Sequence, residues 1–147
     1  MDVSQNQWPL NRPAVVKLLG SYGVQPTQQR IDIAEILFAR PQHLSADQVL
    51  SEVNQGKPSV SKATVYNTLG LFAEKGLVRQ VIVNSSCVFY DSNTSEHHHI
   101  YNIDTGTLTD VSADELQLSG LPELPEGMVA EGIDIIIRVR SNNTSIN

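Results

Sequence analysis

One cysteine, Cys87, stands in 147 residues. An intramolecular disulfide needs two thiols and a thiolate-only zinc needs four, so both are excluded. A lone thiol also fits a reducing cytoplasm. Long apolar runs are missing as well. No stretch approaches the roughly 20 apolar residues of a membrane helix, so no membrane partner is expected. Met1 to Leu10 lacks the basic run and apolar stretch of a secretory signal, which again points to the cytoplasm. What is present is ample apolar content, 40%, enough for a packed core. The length suits one domain or two small ones.

Basic charge is scarce, and the net charge of -6 argues at first against nucleic acid. The distribution changes that reading. Residues 1–83 carry 8 Lys and Arg against 6 Asp and Glu, whereas residues 84–147 carry 2 against 10. A mildly basic half joined to a strongly acidic one suggests a nucleic-acid module fused to something else.

The first half reads as short helices. Ala14, Val15, Leu18 and Leu19 have helical spacing within Asn11 to Ser21, and Gly23 breaks the run. Thr27 is a candidate N-cap for a stripe of Ile31, Ala34, Leu37 and Phe38, with Pro41 expected to end that helix. Ser45 to Gln48 forms a capping-box pattern before Ala46, Val49, Leu50 and Val53. Ser61 caps a fourth helix with a core stripe of Val65, Leu69, Phe72 and Ala73, stopped by Gly76. From Leu77 the pattern turns to strand. Leu77 to Val83 and Cys87 to Asp91 flank Asn84-Ser85-Ser86 as a hairpin, with Cys87 read as one of its core residues. Helices followed by a hairpin are the order of a winged helix-turn-helix.

The second half reads as sheet. His97 to Ile103 and Thr107 to Val111 flank Asp104-Thr105-Gly106 as a second hairpin. Residues 112–130 read as loop, with a short helical turn near Asp114. Ile133, Ile135, Ile137 and Val139 alternate along a half-buried strand. So small a sheet buries little area alone, and a homodimer would cover its apolar face.

Two constellations carry chemistry. On the fourth helix, Ala63, Asn67, Gly70 and Glu74 lie opposite the core stripe, with Tyr66 on the flank. Small residues let a backbone approach a groove, Asn can bond adenine, and an aromatic edge can touch a thymine methyl. Lys62 and the helix N-terminus suit a phosphate. Periodicity alone also fits an ordinary amphipathic helix with a solvated face. The second constellation is the run His97-His98-His99. In a strand His97 and His99 share a face and His98 points away. A two-residue turn at Thr105-Gly106 would pair Tyr101 with Asp110 and bring Asp110 onto the face of His97 and His99. Imidazoles beside carboxylates suit a borderline transition metal. A solvated polar loop is the alternative.

Ala63-Thr64-Val65-Tyr66-Asn67-Thr68-Leu69, followed by Phe72 and Gly76-Leu77-Val78, resembles the recognition-helix signature of the ferric uptake regulator superfamily. Gly23 to Arg30 and His43 to Asp47 resemble the openings of its second and third helices. Asp91 to His99 and Leu121 to Met128 look like its iron response regulator (Irr) branch. The resemblance runs from about residue 12 onward. It implies that Tyr66 contacts bases and that Arg30 and Thr64 contact the backbone, beside Lys62 and Asn67. Gln25 stands where many relatives carry a lysine. The resemblance also implies one regulatory metal site made of His43, Asp91, His97, His99 and Asp110, binding Fe²⁺, Mn²⁺ or Zn²⁺. Haem at His97, His98 or His99 is implied too, although Trp8-Pro9 stands where some relatives have a Cys-Pro haem motif. A Cys₄ structural zinc is excluded by the single cysteine.

The expected fold is α+β, a winged helix-turn-helix domain over residues 1–91 and a small α/β dimerisation and sensing domain over 92–147. The expected function is a homodimeric, cytoplasmic transcription regulator of iron or haem homeostasis, a repressor by type, acting on a double-stranded DNA operator. Two other readings stay open. One is a constitutive DNA-binding dimer with a decayed sensor. The other is a metal-dependent enzyme using the His triplet, for which the sequence offers no convincing nucleophile, second acid/base partner or phosphate loop.

Overall fold

The computed structural model describes residues 8–56 and 58–142. The chain divides into two compact units, Met1–Ser95 and Glu96–Asn147.

The first unit is built on caps. Helix α1 (Arg12–Ser21) starts at Asn11, whose side chain accepts the Ala14 N–H at 2.9 Å. Helix α2 (Gln28–Leu37) starts at Thr27, which accepts the Arg30 N–H. Strand β1 (His43–Ser45) leads into α3 (Ala46–Val53), where Ser45 and Gln48 exchange both bonds of a capping box. Helix α4 (Lys62–Lys75) begins at Ser61 and ends at Gly76, whose φ of +84° is a conformation glycine adopts without strain. Strands β2 (Arg79–Asn84) and β3 (Cys87–Asp91) form the hairpin, and the sheet order is β1-β3-β2. The helical stripes converge in one core in which Leu19, Ile33, Phe38, Val49, Val65, Leu69, Phe72 and Leu77 are fully buried.

The sequence expectations need three corrections in this unit. Pro41 does not end α2, because Phe38 is already the C-cap. Strand β1 was read only as the approach to a helix cap. Three residues are too few for a period to show, and what makes them a strand is pairing with β3. Cys87 is only partly buried, so it is not a core residue of the hairpin.

The second unit holds β4 (His97–Asn102), β5 (Leu108–Ser112) and β6 (Ile136–Val139) in the order β5-β4-β6. β4 and β5 are antiparallel, while β6 runs parallel to β4. A 3-10 turn at Ala113–Glu115 follows β5. The hairpin register differs from the expectation. Tyr101 pairs with Leu108 and His99 with Asp110. The cause is the loop. Asn102 and Thr107 close it with a 2.9 Å backbone bond, and the Asn102 side chain accepts the Asp104 and Thr105 N–H groups. That makes a four-residue connection through Gly106 at φ +72° instead of a two-residue turn. The final strand is also shorter than its alternation suggests. Ile133, Ile137 and Val139 remain 41%, 39% and 36% exposed. Among the described residues, no helix is long and apolar enough to cross a membrane.

Candidate DNA-reading helix and metal-ligand clusters

In the first unit the outer face of α4 is as the helical wheel requires. Lys62, Ala63, Asn67, Gly70 and Glu74 are exposed, and Thr68 is buried. Tyr66 is 43% exposed. Its ring lies 5.6 Å from the Lys62 ammonium, and its hydroxyl bonds the Asp47 carboxylate at 3.3 Å. The Thr64 hydroxyl accepts from Ser61 at 2.9 Å, so it belongs to the N-cap. Arg30 is held at the foot of α2 by a 3.1 Å bond to the Gln25 carbonyl.

The placement of α4 depends on a residue that periodicity does not reveal. The Asn54 side chain accepts the Ser59 and Val60 N–H groups at 2.8 and 2.9 Å and donates to the Val60 carbonyl at 2.7 Å. One amide thus satisfies three backbone groups and fixes the connection that delivers Ser61 to the start of α4. An Asn after a helix and before a Gly/Pro segment is the only signal the sequence gives.

The same unit brings His43 opposite Asp91 in the β1–β3 ladder. The His43 ring stands edge-on to Phe89, 6.3 Å between centroids. Asp91 is 1% exposed and accepts the Asn93 N–H at 2.9 Å. A buried carboxylate is costly unless hydrogen-bonded or bound to a cation. Ser92 is fully buried and ties this point down. It exchanges backbone and side-chain bonds with Gln42 at 3.0 and 3.1 Å. Its hydroxyl donates toward the carbonyls of Arg40 and Gln42. Ser92 was not visible as a site residue, because its role depends on a segment 50 positions away.

In the second unit His97, His98 and His99 are all buried. The rings of His97 and His99 lie side by side, 4.6 Å between centroids. Their Nε2 atoms are 3.5 and 3.4 Å from the same oxygen, Asp110 Oδ1. His98 points the other way. Its Nδ1 accepts the Ile135 N–H at 3.1 Å, which places the ring proton on Nε2. Two imidazole nitrogens and a carboxylate oxygen converging without sulfur form a donor set for a borderline divalent metal. The residues therefore fit such an ion.

A family model for the ferric uptake regulator family matches residues 21–125. The chain belongs to the ferric uptake regulator family. The match contains α4, His43, Asp91, the histidine run and Asp110. A peroxide-responsive repressor of Staphylococcus aureus is 32% identical over 94 residues, which is 64% of this chain and 64% of that protein's length. In structure the chain is similar to a ferric uptake regulator from Pseudomonas aeruginosa with manganese. The TM-score is 0.65 at 24% identity, with 86% of this chain and 96% of the other covered. A ferric uptake regulator from Francisella tularensis with iron gives 0.66 at 22% identity, covering 82% and 94%. These similarities establish the α+β fold of the family, with four α-helices and two small sheets among the described residues. By name the relatives are a repressor and two regulators.

Proposed function

We propose that this chain is a metal-responsive, DNA-binding transcription regulator of the family. The observation that carries the reading is the convergence of His97 and His99 on Asp110 Oδ1 in a chain whose α4 presents Tyr66 and Asn67 outward. His43 and Asp91 of the first unit and His97, His99 and Asp110 of the second are proposed as metal ligands. A bound ion would supply positive charge and fixed coordination geometry, while the protein holds the donors ready on strands. Nitrogen and oxygen donors without a thiolate accept Fe²⁺, Mn²⁺ or Zn²⁺. The names of the P. aeruginosa and F. tularensis proteins, with manganese and with iron, support the first two. Repression is the proposed sign, in line with the name of the S. aureus relative.

The Irr-like reading, iron or haem homeostasis, rests on the stretches at Asp91 to His99 and Leu121 to Met128. For haem the donors fit less well than for a metal ion. His98 already spends Nδ1 on Ile135, and with the proton on Nε2 it has no free lone pair for iron. Only His97 and His99 are left as axial candidates, and they are the metal donors. The decisive experiment is operator binding by the purified chain with Fe²⁺, Mn²⁺, Zn²⁺ or haem added in turn. Binding promoted by at least one divalent metal supports the proposal. Affinity indifferent to all four would instead support the constitutive dimer.

Within this reading, Tyr66→Ala is expected to weaken specific operator binding while leaving the fold intact. A base contact is worth roughly 1–3 kcal/mol of discrimination, and an exposed side chain is removed at small cost to the core. Fluorescence anisotropy on operator and scrambled DNA measures both effects, and wild-type affinity for the operator would remove Tyr66 from the reading surface.

Homodimerisation is proposed through the second unit. Ile133, Ile137 and Val139, on and just before β6, are exposed there, and a second copy would cover them. Ile137→Asp should shift the full chain toward monomer in sedimentation velocity and weaken operator binding. An unchanged dimer would place the interface elsewhere.

A further inference from the structure

Asp47 stands in the first turn of α3, exposed, next to the residue proposed to read DNA. A carboxylate on a DNA-facing surface is repelled by phosphates, so its presence calls for an explanation. Its carboxylate lies 3.3 Å from the Tyr66 hydroxyl. An ionised carboxylate can only accept, so the phenol must be the donor. The hydroxyl has one proton, and Asp47 takes it. What Tyr66 then offers outward is lone pairs alone.

That polarity has a consequence in the major groove. The hydrogen-bond donors there are adenine N6 and cytosine N4, whereas guanine O6 and N7 and thymine O4 are acceptors. A hydroxyl locked as acceptor matches adenine or cytosine and meets guanine or thymine with lone pair against lone pair. A free hydroxyl would rotate and match either class. Asp47 also restricts the ring. Asp47 and Tyr66 line one cleft of about 400 Å³ together with Ser86, Cys87 and Tyr90. The bond to Asp47 and the Lys62 ammonium 5.6 Å over the ring hold it on the outer flank of α4.

We propose that Asp47 is a positioning residue that sets the specificity of Tyr66, making its hydroxyl an acceptor-only reader of an adenine or cytosine. The inference rests on α4 being the DNA-reading helix. A purely structural role is the alternative, since an acid in the first turn of α3 favours that helix through its dipole. Such a role would change stability and leave base preference alone.

The test uses the full chain. An operator is first selected from random DNA by the wild-type protein in the presence of whichever divalent metal supports binding. Affinities are then measured on its single base-pair variants for wild type, Asp47→Ala, Asp47→Asn, Tyr66→Phe and the Asp47→Ala/Tyr66→Phe double variant. At one base pair the wild type should favour adenine or cytosine over guanine or thymine by about 3- to 10-fold, the range of one hydrogen bond. Asp47→Ala and Tyr66→Phe should each flatten that preference, and the double variant should match Tyr66→Phe. Asp47→Asn keeps an acceptor oxygen and should retain the preference while binding all DNA more tightly. Should Asp47→Ala keep the wild-type ranking, with or without a uniform gain in affinity, Asp47 is only a surface charge or a helix cap and the proposal is overturned. If wild type selects no sequence, or selects one to which Tyr66→Ala is indifferent, the α4 reading falls and this inference falls with it.

Discussion

Replacing His97 and His99 together by alanine is expected to lower divalent-metal affinity by at least about 100-fold and to remove any metal dependence of operator binding. Losing a group that merely orients a ligand already costs about 10- to 100-fold, and this variant removes two ligands outright. The argument depends on shared aim. Both Nε2 atoms lie within 3.5 Å of one Asp110 oxygen, so an ion held there would lose two of the three donors that the second unit supplies. Asp110, with its side chain 52% exposed, cannot compensate, since a single solvated carboxylate binds such ions weakly. Isothermal titration with Zn²⁺ or Mn²⁺ measures the effect. His98→Ala is the control, and the geometry assigns it a different consequence from its neighbours. It strips the Ile135 N–H of its acceptor and should cost roughly 1–3 kcal/mol of stability with metal stoichiometry unchanged. Wild-type metal affinity in the His97/His99 variant would show that the histidine face is not the site.

The parts of this molecule legible in its sequence are those decided by local chemistry. Thr27, Ser45, Ser61 and Gly76 cap or stop their helices as their residue types require, because a cap is a bond across three residues. The histidine face was legible for the same reason, since a strand alternates every second residue. The β4–β5 register shows where locality ends. The four-residue loop moves the partner of Asp110 from Tyr101 to His99. The shift is two positions, so Asp110 keeps its face. A loop one residue longer or shorter would have put it on the other side of the sheet. Strand β1, the clamp at Ser92 and the Asp47–Tyr66 bond all join residues distant in sequence. Nothing in their own spacing announces them. The alternation after Ile133 was legible as strand but not as buried strand, because burial there depends on what covers the face, and one chain leaves it exposed.

Phe72→Ala should destabilise the first unit by about 3–5 kcal/mol, the usual cost of deleting a buried aromatic. Phe72 is fully buried on the inner face of α4, in the same stripe as Val65 and Leu69. Removing its ring leaves a cavity that the capped helices around it can only partly close. Against a typical domain stability of about 5–15 kcal/mol, that is a large fraction. Chemical denaturation followed by circular dichroism should show a lower midpoint, while Glu74→Ala on the exposed face should stay within about 0.5 kcal/mol of wild type. The functional consequence separates the two faces of one helix. Tyr66→Ala should cost operator affinity at unchanged stability. Phe72→Ala should cost stability first and operator affinity only as the helix loses its seat, so its binding defect should shrink on cooling from physiological temperature toward about 15 °C, where folded domains are commonly most stable. A Phe72→Ala loss below about 1 kcal/mol would mean that α4 is not anchored through this stripe, and the outward aim of Tyr66 would then need another cause.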